Sequence, residues 1–124
     1  MEILRSPQEY LFNLHTTSSG DARRIWRQKI KEGWENKCAY CESKENLTID
    51  HIVPQSKGGL DETHNVVCCC HSCNQSKGHT HWKDWYETQD FFTTQKMSDI
   101  VKWMNQNNKI DYVVYRPYKN NTIF

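Results

Sequence analysis

Several features that would place the chain in other classes of protein are missing from its 124 residues. It has no apolar stretch near the roughly 20 residues that a membrane-spanning helix needs, and no internal repeat or low-complexity tract. Residues 1–19 lack the basic start and apolar run of a secretory signal, so we expect a cytoplasmic protein. The net charge is only +1, which argues against a uniformly basic nucleic-acid binder.

Cysteine, by contrast, is abundant, and four of the six cysteines form two Cys-x-x-C pairs. The pairs are Cys38 with Cys41 and Cys70 with Cys73. Two thiolates at this spacing can bind one zinc ion, because a tight turn brings both sulfurs within ligand distance. The alternative is a set of disulfides, which a reducing cytoplasm disfavours. We therefore predict a structural zinc site with four cysteine ligands.

The other two cysteines, Cys68 and Cys69, directly precede Cys70. Either one could replace Cys70 as a ligand, but only Cys70 keeps the two-residue spacing to Cys73. We expect Cys68 and Cys69 to be buried strand thiols, which behave as small hydrophobes. His71 is expected to point to solvent.

The segment between the cysteine pairs predicts the order strand, loop, strand, helix. Residues 47–53 are rich in β-branched and apolar residues and stop at Pro54, as a short strand does. A loop is expected at residues 55–63, a returning strand at 65–69 and the first turns of a helix at 73–78.

These residues resemble the HNH endonuclease family, in its zinc-knuckled branch with the ββα-metal fold. The resemblance covers residues 38–78 and lies in D-H-I-V-P with its Gly-Gly loop, H-N-V-V, and C-x-x-C-N-x-x-K-G. The last letter of the family name often stands for His, and here Asn74 takes that position as a known family variant. The resemblance implies an α+β fold with a ββα-metal core, clamped by the four-cysteine zinc site and flanked by helices.

A chain of this length is expected to form one domain. We divide it into an N-terminal helical segment at 1–37, the zinc-clamped core at 38–78, and C-terminal helices with a short strand at 79–124. Asp21 is the expected N-cap of the second helix. The flanking elements are expected as helices at 7–15, 21–34, 79–89 and 97–107, and a strand or arm at 110–115. The aromatic residues of 79–89 are expected to pack in the core.

The chemistry of phosphodiester hydrolysis assigns roles to the core residues. His51 is the expected general base, because an imidazole with a pKa of about 6.5 can accept a proton at neutral pH. Asp50 and Asn74 offer oxygen ligands for a catalytic divalent ion, Mg²⁺ or Mn²⁺. Alternation would send Asp50 and His51 to opposite faces of a strand, so the strand must end or bend there. The resemblance implies that Asn65 ties the loop to backbone groups and sets the His51 ring.

Positive charge is concentrated ahead of the core. Residues 22–37 carry a local charge of +4, whereas residues 38–64 carry −3. We expect DNA phosphates to be contacted by Arg23, Arg24, Arg27, Lys57 and Lys77. His64 is expected to be a solvated loop residue.

The sequence therefore predicts a metal-dependent endonuclease that cuts double-stranded DNA by a one-metal mechanism. A small enzyme of this family resembles the homing endonucleases of phages and mobile introns, and a phage-encoded one would act in the host cytoplasm. One alternative is a non-catalytic zinc module that binds nucleic acid or a protein partner, which would not need Asp50, His51 and Asn74 together. A second alternative is a structure-specific nuclease for branched DNA, which would require a dimer interface.

Overall fold

The computed structural model describes residues 3–13 and 15–106. Their helices and strands are α1 (Pro7–Phe12), α2 (Ser19–Gly33), β1 (Leu47–His51), β2 (Val66–Cys70), α3 (His71–Lys77), α4 (Trp82–Glu87) and α5 (Thr94–Asn105). Two 3-10 turns, Gln55–Lys57 and Thr63–Asn65, lie between the strands. The expected strand at 110–115 lies outside the described residues. Among the described helices, none is long and apolar enough to cross a membrane.

The two strands pair antiparallel, with Leu47 opposite Cys70 and His51 opposite Val66. The predicted order of strand, loop, strand and helix is confirmed, and with it the α+β class. All five residues of β2 are buried because the sheet has a core on each face. Val67 and Cys69 face one core, while Val66 faces the other.

The first core joins the cysteine knuckle to the C-terminal helices. It contains Tyr40, Trp82, Trp85, Tyr86 and Ile100, all nearly inaccessible to solvent. The prediction that the aromatic residues of 79–89 pack in the core is confirmed.

The second core lies between the N-terminal helices and the other face of the sheet. Trp26 and Ile30 of α2 are fully buried there, together with Tyr10 of α1 and Val66 of β2. Trp26 and Ile30 thus pack α2 against this face of the sheet.

Two helices, α2 and α5, begin earlier than predicted because hydroxyl groups cap them. The Ser18 side chain accepts a hydrogen bond from the Asp21 backbone N–H (3.2 Å), so Ser18 is the N-cap of α2. The prediction of Asp21 as the cap was therefore wrong, and α2 begins at Ser19. Thr93 caps α5 in the same way, which starts that helix at Thr94.

Candidate active site and zinc centre

The four predicted cysteines come together in one cluster. Their sulfur atoms all lie within 4.8 Å of one another, and Cys41 Sγ is 3.7 Å from Cys70 Sγ. A tetrahedral zinc ion with Zn–S bonds of about 2.3 Å requires sulfur atoms about 3.8 Å apart. The cluster therefore fits a zinc ion.

Turn geometry at both knuckles produces this cluster. The Glu42 N–H donates to the Cys38 carbonyl oxygen (2.9 Å), which closes the first turn, and Glu42 itself has a positive φ of 69°. In the second knuckle Cys70 is the N-cap of α3, and its sulfur accepts from the Cys73 N–H (3.4 Å). Each turn directs its two sulfurs to one point.

The protein alone does not favour four thiolates at this point. Burial, with the nearby Cys38 thiolate, raises the pKa of Cys41 to about 11. A hydrogen bond to Cys38 raises the pKa of Cys73, and hydrogen bonds from Cys69 and Cys73 lower the pKa of Cys38. Neighbouring thiols thus favour the thiolate at Cys38 and disfavour it at Cys41 and Cys73.

Cys68 and Cys69 are completely buried, and His71 is exposed, so these three predictions are confirmed. Burial raises the pKa of Cys68 to about 11, and its sulfur lies outside the four-sulfur cluster. The Cys69 thiol donates to the Cys70 carbonyl oxygen (3.3 Å).

Beside the sheet lies an open pocket of about 250 Å³, at the end of β1. Asp50, His51 and Asn74 all line it, together with residues 54–56 and His79. Strand β1 ends at His51, and the chain bends directly afterwards. The predicted end of the strand therefore allows Asp50 and His51 to border the same pocket.

Asp50 is 5% exposed and has two partners behind the pocket. The Lys77 ammonium lies 3.2 Å from Oδ2 and 3.3 Å from Oδ1, and the Tyr40 hydroxyl donates to Oδ2 (3.3 Å). Burial raises the pKa of Asp50 above its ordinary value, although Lys77 acts in the opposite direction. A cation in the pocket would meet a carboxylate that is already fixed in position.

Lys77 is 1% exposed, which contradicts the expectation that it contacts DNA phosphate. In the sequence Lys77 lies one turn after Asn74, a spacing that puts two residues on the same face of a helix. The helix instead turns this side chain towards β1, where the ammonium pairs with Asp50 and donates to the His51 carbonyl oxygen (3.4 Å). The sequence contains no partner at helical spacing that would have indicated this buried pair.

Asn65 joins the two ends of the loop between the strands. Its side-chain Nδ2 donates to the carbonyl oxygens of Val53 (3.1 Å) and Leu60 (2.8 Å), and its Oδ1 accepts from the Val53 N–H (3.0 Å). Gly59 lies so close that an added Cβ would be 1.7 Å from the Val53 carbonyl oxygen. Only glycine therefore allows the loop to pass this point.

The His51 ring contacts an aspartate that sequence reasoning missed. Its Nε2 lies 2.9 Å from Asp61 Oδ1, and the Arg23 guanidinium pairs with Asp61 Oδ2. Burial raises the pKa of Asp61, but hydrogen bonds from Arg23 and His51 outweigh it and hold that pKa below its ordinary value. The only signal in the sequence was an acidic residue two positions after Gly58-Gly59.

The remaining candidates for DNA contact have different environments. Arg24, Arg27 and Lys57 are exposed, although Arg24 pairs with Asp21 (3.5 Å); Arg23 is engaged by Asp61. His64 is not a solvated loop residue as expected, because it is half-buried and its Nδ1 lies 2.8 Å from the Trp103 carbonyl oxygen. Trp103 belongs to α5, 39 positions further along the chain, so local sequence could not predict this contact.

The fold and the two sites together define a class of domain. Residues 38–85 match the family model described as HNH endonuclease, a span that runs from the first knuckle into α4. This segment is therefore an HNH endonuclease domain, and the predicted resemblance is confirmed.

Two relatives share this domain. Over 82 residues the chain is 35% identical to the CRISPR-associated endonuclease Cas9 of Corynebacterium diphtheriae, an alignment that covers 63% of this chain and 8% of Cas9. Over 95 residues it is 27% identical to YoqL of Bacillus subtilis strain 168, an SPbeta prophage-derived protein whose name assigns it to the HNH endonucleases. That alignment covers 64% of this chain and 40% of YoqL. The similarity therefore concerns less than half of each relative.

Proposed function

We propose that the protein is a metal-dependent endonuclease that hydrolyses phosphodiester bonds in double-stranded DNA. The observation that carries the proposal is that Asp50, His51 and Asn74 line one open pocket at the end of β1. A general base and two oxygen ligands are the groups that one-metal hydrolysis requires. The HNH family match supports the same reaction class.

His51 is the general base of this mechanism and takes a proton from the attacking water. Its Nε2 is engaged by Asp61, so Nδ1 is the nitrogen that accepts the proton. Asp50 and Asn74 would hold the divalent ion, Mg²⁺ or Mn²⁺, because carboxylate and amide oxygens suit hard cations. When bound, such an ion neutralises charge on the phosphate and stabilises the departing 3′ oxygen. Asn65 keeps the loop in the shape that places His51.

The four cysteines hold a structural zinc ion that fastens the first knuckle to the start of α3. The domain is small, so a bound zinc ion adds stability that burial alone supplies poorly. Zinc in this role takes no part in the hydrolysis. Reduced cysteines require a reducing compartment, which is consistent with action in the cytoplasm.

DNA would lie over the pocket and contact exposed basic residues of the domain. Arg24 and Arg27 on α2 and Lys57 beside the pocket residues 54–56 are exposed and can contact phosphates. Such contacts give affinity that falls with salt and carry no sequence information. A homing endonuclease is the narrower form of the proposal; it rests on the small size and the family resemblance, and one relative is prophage-derived.

The test compares the wild-type protein with His51→Ala on supercoiled plasmid, in Mg²⁺, in Mn²⁺ and in EDTA. The matched control is His71→Ala, which removes an exposed imidazole outside the pocket. We expect metal-dependent cutting by the wild type and by His71→Ala, and none by His51→Ala at unchanged zinc content and melting temperature. Cutting by His51→Ala at the wild-type rate would remove His51 as the base.

One observation favours a zinc module that binds nucleic acid without cutting it. The Lys77 ammonium already neutralises Asp50, so this carboxylate has less need of a divalent ion. A folded, zinc-loaded wild type that binds duplex DNA would support this alternative if it cut neither plasmid nor branched DNA in either ion. Titration of Mn²⁺ into the wild type and Asp50→Ala, followed by its paramagnetic resonance signal, would show directly whether Asp50 binds an ion.

A further inference from the structure

A chain of three side chains runs from α2 to the proposed base. The Arg23 guanidinium pairs with Asp61 Oδ2, and Asp61 Oδ1 lies 2.9 Å from His51 Nε2. The side chains of His51 and Asp61 are only about one-fifth exposed, so water competes weakly for these contacts. Asp61 is not among the described residues that line the pocket, so it contacts the His51 ring without bordering the pocket itself.

This contact determines which tautomer His51 adopts. An ionised carboxylate has no proton to donate, so the hydrogen bond to Asp61 requires a proton on Nε2. In neutral imidazole the other nitrogen, Nδ1, is then an acceptor. Ring orientation and tautomer are both fixed by one contact, as in other sites where a carboxylate orients a histidine.

We propose that Asp61 is a positioning residue for His51, and that Arg23 of α2 holds Asp61 in place. The inference rests on the proposed function, because positioning a base matters only if His51 is one. It assigns a second task to α2, which lies outside the family match at residues 38–85. It also changes the role of Arg23, whose guanidinium supports the loop instead of serving first as a contact for DNA.

The first experiment measures single-turnover cleavage by Asp61→Ala and Asp61→Asn. Asp90→Asn is the matched control, since it removes an exposed carboxylate from the loop between α4 and α5. We expect Asp61→Ala to lower the maximal rate about 10- to 100-fold, the usual cost of losing an orienting partner, with DNA affinity and melting temperature close to wild type. Wild-type rates in Asp61→Ala would overturn the inference. If Asp61→Ala fails to fold, Asp61→Asn, which keeps the shape of the side chain, decides the question.

The second experiment observes the His51 ring without any cleavage assay. Long-range ¹H–¹⁵N spectra at pH 8 report the tautomer of each histidine, and His51→Ala identifies the signals of His51. We expect a proton on Nε2 in the wild type and a mixture of tautomers in Asp61→Ala. An unchanged His51 spectrum in Asp61→Ala would overturn the inference even if the enzyme cuts DNA. Absence of cutting by the wild type would instead overturn the proposed function, and the spectra would still decide the role of Asp61.

A third comparison separates support of the loop from contact with DNA by Arg23. If Arg23 acts through Asp61, Arg23→Ala lowers the maximal rate, and the double variant with Asp61→Ala is no slower than Asp61→Ala alone. If Arg23 only contacts DNA, Arg23→Ala raises the DNA concentration needed for half-maximal rate, and the two losses multiply. The second result would refute the assignment of Arg23.

Discussion

Replacing Lys77 with methionine tests whether the buried ammonium is needed to keep Asp50 ionised. The two groups lie 3.2 Å apart, and their side chains are 0% and 6% exposed. With an effective dielectric constant of about 20, the attraction at this distance is about 5 kcal/mol. Removing one member of a buried pair usually costs about 3–5 kcal/mol, because the other charge is left without compensation. For a domain of this size, this loss lowers the melting temperature by about 12–20 °C.

The loss in Lys77→Met should depend on pH. Burial already raises the pKa of Asp50, and loss of Lys77 removes the group that lowers it. A carboxyl whose pKa is higher in the folded state binds more protons when folded, so the free energy of unfolding falls as the pH rises through that range. The difference between wild type and Lys77→Met should therefore be largest at neutral pH and smaller near the pKa of an ordinary aspartate, about 4.

The assay is thermal unfolding of zinc-saturated protein followed by circular dichroism between pH 4 and 8. Lys96→Met is the control, because Lys96 pairs with Glu42 at the surface and its loss should hardly change the melting temperature. Mg²⁺ should stabilise Lys77→Met more than wild type if Asp50 binds the ion. Equal melting temperatures of wild type and Lys77→Met at pH 7 would refute the reasoning, since Asp50 would then have no need of its partner.

Two further variants test the zinc centre and the loop. Cys70→Ser should lose both bound zinc and cooperative melting, because it removes a zinc ligand. The control variant Cys68→Ala should keep one zinc ion per chain by metal analysis. A zinc-loaded Cys70→Ser protein would show that another residue is the ligand. Gly59→Ala should destabilise the protein by at least about 1–3 kcal/mol in urea unfolding, because the new Cβ would overlap the Val53 carbonyl oxygen. Gly20→Ala is the control and should not destabilise the protein, because the nearest atom to the new Cβ would be 3.7 Å away. Equal stability of the two variants would contradict the packing described for the loop.

The sequence predicted those parts of the site that depend on local spacing. Cys-x-x-C pairs produce their geometry within one turn, and β1 ends close to where Pro54 indicated. These features need no knowledge of the rest of the fold. The same holds for the buried aromatic residues of α4, whose spacing matches a helix.

Contacts between distant segments could not be predicted in this way. Asp61 lies ten positions after His51 in the chain, and Arg23 reaches Asp61 from helix α2. Lys77 was placed on the correct helix but on the wrong face, because the burial of a charged side chain depends on a partner 27 residues away. Helical periodicity shows which residues share one face of a helix, but not which charged residue of another element packs against that face.

The hydrogen bonds of Thr63 limit how the domain can be transferred between proteins. Its hydroxyl accepts from Trp26 Nε1 (2.9 Å), its N–H donates to the Arg5 carbonyl oxygen (2.7 Å), and its own carbonyl oxygen accepts from Trp103 Nε1 (3.1 Å). Segments from before and after the matched domain thus meet on one residue of the loop between the strands. A chimera that grafts only residues 38–85 into another host would leave these donors and acceptors unmatched. The HNH domain at residues 38–85 is therefore not self-contained, and transferring it between proteins would require α2 and α5 as well.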